Sequence, residues 1–83
     1  MARHLILVTP PNVDEMRPTY GFANSTLAPY VDVIRALAKS ATGGRVDVFG
    51  LLEPADFDRD GVHPNALGHH KMFEQIAAAV DRL

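Results

Sequence analysis

The sequence predicts a small α/β domain built on a parallel sheet, and three observations carry that prediction. Residues His4 to Thr9 form a nearly unbroken apolar run stopped by Pro10-Pro11, the pattern of a strand buried on both faces. Two later segments repeat apolar residues at helical spacing, with a short alternating run, Arg45 to Phe49, between them. The resulting order, strand-helix-strand-loop-helix, implies a right-handed crossover between two parallel strands.

The elements follow in order. After the first strand, Pro10 to Asn24 is a polar segment containing proline and glycine, long for a mere connector. It leaves the carboxyl end of a parallel strand, where α/β folds place ligands. Its Asp14, Glu15, Met16, Arg17, Tyr20 and Phe22 suit a pocket wall or an ordinary surface loop. Ser25 or Thr26 is placed to cap the first helix, with Pro29 in its first turn. Leu27, Tyr30, Val31, Ile34, Leu37 and Ala38 then form its apolar stripe, and Gly43-Gly44 ends it. In the second strand Val46 and Val48 alternate with Asp47, and Leu51 to Asp60 is a loop. The last helix runs from Ala66 to the region of Leu83, with Met72, Phe73, Ile76, Ala77, Val80 and Leu83 as its buried face. The chain contains no repeat or low-complexity tract.

Eighty-three residues, 47% of them hydrophobic, make one small domain at most, and a chain of this size buries a modest fraction of its surface. The net charge of -2 and the scattered basic residues give no electrostatic footprint for nucleic acid or an anionic membrane. The absence of cysteine excludes disulfides and thiolate metal sites and fits a reducing compartment. No apolar run reaches the length of a membrane span, and Met1-Ala2-Arg3 precedes the first strand without the pattern of a secretion signal. These features lead to the expectation of a cytoplasmic product or an excised segment.

The chemistry concentrates in Asp60-Gly61-Val62-His63-Pro64-Asn65. A carboxylate stands three residues before a histidine on a turn-forming segment just ahead of a helix. Gly61 accepts the dihedrals of a tight turn, Pro64 biases His63 away from the α region, and Asn65 is a good helix cap. At this spacing Asp60 can accept the Nδ1 proton of His63, leaving Nε2 free to act as a general base toward a hydroxyl. The alternative is a turn whose histidine is merely solvated. Asp56-Phe57-Asp58-Arg59-Asp60-Gly61 also matches the first half of a calcium loop, but the twelfth position is Leu67, where a bidentate Glu is needed. His69 and His70 are adjacent on the last helix and diverge by about 100°, which prevents both from addressing one ion with His63. His4 carries no signal.

The segment Asp60 to His63 resembles the C-terminal Asp-x-x-His block of the SGNH/GDSL family of serine esterases and lipases. The likeness continues through Ala66-Leu67-Gly68-His69-His70, and His4-Leu5-Ile6-Leu7-Val8-Thr9-Pro10-Pro11 is similar to that family's penultimate core strand and its loop. The resemblance spans essentially the whole chain and implies that it is one partial domain. That domain is the C-terminal β-α-β-α part of a flavodoxin-like three-layer hydrolase fold with a parallel sheet. It further implies catalytic roles for Asp60 and His63, a small ester as substrate, and no cofactor. The family's Gly-Asp-Ser nucleophile block and the Gly and Asn blocks of its oxyanion hole do not occur here. Ser25 and Ser40 are the only serines; the first reads as a cap and the second as a last-turn residue, so neither is expected to be a nucleophile.

Two parallel strands leave two unpaired edges, whereas parallel sheets are normally wider and covered on both faces. The missing strands are therefore expected from an N-terminal segment of a longer enzyme, from a second copy of the chain, or from another partner. A catalytically inactive, self-associating or partner-binding α/β module is the alternative function, and a calcium-binding loop the next.

Overall fold

The computed structural model describes residues 4–83, so Met1, Ala2 and Arg3, on which the reading of an absent secretion signal rested, lie outside the described residues. The described residues form a small mixed α/β domain with two helices and a two-stranded parallel sheet. Strand β1 is Leu7–Val8, helix α1 is Asn24–Ala38, strand β2 is Arg45–Val46, and helix α2 is Ala66–Asp81. Leu7 stands opposite Arg45 and Val8 opposite Val46. Single 3-10 turns at Thr19–Gly21 and Pro54–Asp56 punctuate the two long loops.

Both strands are shorter than the apolar runs that predicted them, for a specific reason. The backbone ladder ends at Thr9, whose N–H donates to the Val46 carbonyl. The next donors beyond β2, the N–H groups of Val48 and Phe49, go to the Thr9 hydroxyl at 2.9 and 3.2 Å. A side chain thus takes over from the sheet, and the two chains diverge at their carboxyl ends into the loops. Thr9 is buried at 2% exposure, so its hydroxyl needs these partners.

Successive residues of β2 and its extended continuation point to opposite faces. Val46 and Val48 pack with Ala79, Met72 and Ile76 of α2, joined by Ile6. Asp47 points the other way and pairs with Arg35 of α1, Nε to Oδ2 at 2.8 Å. The helices therefore flank opposite faces of the sheet.

The helix termini depart from expectation at α1 and agree at α2. Neither Ser25 nor Thr26 caps α1; the flanking residue is Ala23, two positions before Ser25, and the Glu15 carboxylate accepts from the N–H of Asn24. Pro29 is consequently the sixth helical residue and lies beyond the first turn. The helix ends at Ala38, ahead of Gly43-Gly44. Asn65 caps α2 as expected, its Oδ1 accepting from Gly68 N–H at 3.1 Å.

Only part of each predicted apolar stripe is covered. Val31 and Ala38 are buried on α1, while Tyr30 and Leu37 are exposed; on α2 Met72, Ile76 and Ala77 are half-buried, Phe73 and Val80 are exposed, as is Leu83 beyond the helix end, and the buried residue is Ala79, which the predicted stripe did not include. Two strands about 4.8 Å apart are narrower than a helix 10–12 Å across, so each helix overhangs the sheet.

The two sheet edges differ in character. Because Leu7 and Thr9 direct their backbone groups to β2, the alternating ladder turns those of Ile6 and Val8 outward, while Arg45 and Asp47 turn outward from β2. The β1 edge is apolar and the β2 edge charged, and charge is a usual guard on a terminal edge. Leu5 and Val8, at 58% and 39% exposure, and Val33 with Leu37 on α1 extend the apolar character. The isolated 83-residue chain is therefore expected to sediment as an oligomer or together with a second polypeptide, since ordering so small a core consumes most of what burial returns. A cooperative, monodisperse 9.1 kDa species in sedimentation and intact-mass measurements would contradict this.

Candidate functional site

The Asp60–His63 turn sits between the carboxyl end of the sheet and the start of α2. Its fold is local: Asp58 N–H donates to the His63 carbonyl at 2.8 Å and Gly61 N–H to the Asp58 carbonyl at 3.0 Å, and Phe57 bridges Pro64 in antiparallel fashion. Gly61 has φ +71°, and a side chain there would stand 2.6 Å from the Asp14 carbonyl oxygen, so both conformation and space demand glycine.

Within the turn, Asp60 Oδ1 accepts the backbone N–H groups of Val62 and His63, each at 2.9 Å. Its other oxygen, Oδ2, is hydrogen-bonded to His63 Nδ1. One carboxylate therefore fixes the turn and the imidazole together. Backbone donation from His63 is the largest of the effects that hold the Asp60 carboxyl down to about 2, followed by the bond from its ring and by Val62 N–H. The same carboxylate raises the His63 imidazole above its ordinary value, with Asp58 adding a smaller push. The Asp60 side chain is 15% exposed and that of His63 is 68% exposed. Nε2 of His63 makes no hydrogen bond among the described residues.

The surroundings of the pair are extensively cross-tied, largely by residues that sequence reasoning left without a role. Asn12 accepts from Gly50 and Leu52 N–H at 3.0 and 3.1 Å and donates to the Leu52 carbonyl at 2.9 Å. Asn24 joins the Val13 N–H and carbonyl through its amide. Asn65, besides capping α2, donates to the Ala55 carbonyl at 2.8 Å. Asp56, 2% exposed, accepts from Glu53 N–H and from Lys71 Nζ at 2.7 Å, anchoring the loop to α2. Gly68 permits this approach, since a side chain there would collide with the Asp56 carbonyl. Asparagine in a loop is read from sequence as a turn residue, which is why these clamps carried no signal.

The loop 10–24 reaches the turn at a conformational cost. Thr19 and Tyr20 have φ +50° and +53°, a region that costs a non-glycine residue about 1–3 kcal/mol and is rare for a β-branched one. In return Thr19 N–H donates to the Asp60 carbonyl at 2.7 Å and Asp14 N–H to the Gly61 carbonyl at 2.8 Å. Beside this junction Pro10, Pro11, Val13, Phe22, Leu27 and Val62 line an apolar depression of about 190 Å³.

Comparison of the chain with family models, curated proteins and solved structures finds no match. The three carboxylates of the calcium-like segment do not converge: Asp56 is taken by Lys71, Asp60 by His63, and Asp58 lies exposed. Among the described residues no three acidic or histidine side chains are grouped to hold a metal ion. His70 Nε2 pairs with Glu74 on its own helix at 3.1 Å, away from His63. Ser25 lies in the first turn of α1, and Ser40 follows its end, near the amino end of β1, where Thr42 and Gly43 bond Leu5. The topology therefore puts Ser40 at the opposite end of the sheet from His63. Among the described residues, no helix is long and apolar enough to cross a membrane.

Proposed function

We propose that the chain is the C-terminal portion of an SGNH/GDSL-type serine hydrolase acting on carboxylic esters, within a flavodoxin-like three-layer domain, and that Asp60 and His63 are two members of its triad. The observation that carries the reading is the bond between Asp60 and His63 Nδ1, which leaves Nε2 of a largely exposed imidazole unbound. That tautomer is the one a general base needs. A serine supplied by another segment or chain attacks the ester carbonyl while His63 Nε2 takes its proton. The same proton then passes to the leaving alkoxide, and Asp60 stabilises the imidazolium between the two steps. No cofactor enters this sequence. The apolar depression beside Val62 is where the hydrocarbon part of a small ester would rest.

The partner that completes the centre docks on the apolar β1 edge, because the charged β2 edge is the poorer template. The same open edge supports a second reading, an inactive partner-binding or self-associating module in which Asp60 only shapes the turn. A fluorophosphonate probe tests the external serine that the first reading requires. Under the first reading the 83-residue chain alone is unlabelled and hydrolyses p-nitrophenyl acetate no faster than its His63→Ala variant, since a base without nucleophile and oxyanion hole supplies little. Stoichiometric labelling of Ser25 or Ser40 would overturn the assignment of an external serine.

A further inference from the structure

We propose that Arg17 is a positioning residue for the Asp60–His63 pair, acting as a clamp between the two loops that meet at the turn. Its Nη1 donates to the carbonyls of Phe57 at 3.1 Å and Asp58 at 2.7 Å, and its Nη2 to that of Pro54 at 3.1 Å. Its Nε pairs with Asp14 Oδ2 at 3.1 Å. A single planar guanidinium thus gathers three carbonyls leading into the turn and one carboxylate of the facing loop. Only arginine presents donors in such a fixed fork.

The clamp is coupled to the pair by short backbone links. Asp14, which Arg17 holds, donates its N–H to the Gly61 carbonyl, and Asp58, whose carbonyl Arg17 holds, donates its N–H to the His63 carbonyl. Gly61 sits directly against this clamp, since a side chain there would approach the Arg17 Cβ to 2.9 Å. Arg17 therefore fixes both sides of the turn in which Asp60 must reach His63 Nδ1. It touches neither imidazole nor carboxylate of the pair, so its effect is geometric.

The inference bears on turnover only through the catalytic reading above, but its test does not need activity. The charges that act on His63 are Asp60 and, more weakly, Asp58 on its own turn; the same turn also carries Arg59, and the facing loop brings Arg17 paired with Asp14. Removing the positive charge alone would raise the imidazole further; letting Asp60 drift from Nδ1 would lower it. The direction of change therefore separates electrostatics from positioning. Imidazole titration by NMR on the full chain is expected to show the His63 value falling toward that of an ordinary histidine in Arg17→Met. The downfield Nδ1 proton should be lost with it.

Arg17→Lys keeps the charge but not the fork, and it is expected to fall in the same direction. Val31→Ala, a core change on the α1 side, loosens the fold without moving His63. An unchanged or raised His63 value in a folded Arg17→Met chain would overturn the proposal. If that variant does not fold, an unchanged value in Arg17→Lys overturns it equally. In an assembled hydrolase, Arg17→Lys should lower kcat on the order of 10²-fold with little change in KM, the penalty expected of a misplacement near 1 Å. Absence of hydrolysis in every assembled form, with the NMR result intact, would count against the esterase reading and leave the clamp standing.

Discussion

Asp60→Asn is expected to lower turnover of the assembled hydrolase on the order of 10⁴-fold, the loss seen when the buried carboxylate of a comparable triad becomes an amide. Size and shape are retained, and the amide oxygen can still accept the N–H groups of Val62 and His63 that Oδ1 accepts now. What disappears is the negative charge facing Nδ1. An amide also offers the ring either acceptor or donor, so the wrong tautomer becomes accessible.

The pH dependence follows from the same bond. Asp60 is held down to about 2 against an ordinary 3.8, so its stabilising contribution is present above the ordinary value and fades as pH falls toward 2. His63 is raised above 6.5, so its contribution is complete below 6.5 and is lost as pH climbs through the folded value. The pair thus stabilises the fold most between about 4 and 6.5, and the Asn variant loses that maximum. For turnover His63 must be neutral, so its raised value sets the acid limb of the rate profile. In Asp60→Asn that limb moves to lower pH while the plateau falls. Near-normal turnover with an unmoved acid limb would make Asp60 a structural residue.

The order β-α-β-loop-α and the site turn were legible in the sequence because each rests on local chemistry. Apolar runs, helical spacing, the Asn65 cap and the Gly61-Pro64 frame all act within a few residues. The α1 boundary was not legible. Its first N–H is satisfied by Glu15, nine residues away, and long-range capping leaves no mark on local propensity. The clamps at Arg17, Asn12 and Asp56 were hidden for the same reason: their partners lie 37–41, 38–40 and 15 residues distant in the chain. The exposed members of the helix stripes, Tyr30, Leu37, Phe73 and Val80, show the reverse limit. Periodicity reports which face of a helix is apolar, whereas coverage depends on how wide a sheet the helix meets.

His63→Ala carries the largest expected effect of all, on the order of 10⁶-fold in turnover, as for loss of the general base in other serine hydrolases. Without an imidazole the serine keeps its proton and the leaving alkoxide receives none. The direct measurement is made on the polypeptide or complex that contains this chain in its source, captured through an affinity tag. Its p-nitrophenyl acetate turnover and fluorophosphonate labelling are read side by side with the His63→Ala form. We expect rapid hydrolysis with one labelled serine lying outside this 83-residue chain, and loss of both in the variant. Equal turnover and equal labelling in the two forms would contradict a catalytic role for the Asp60–His63 pair.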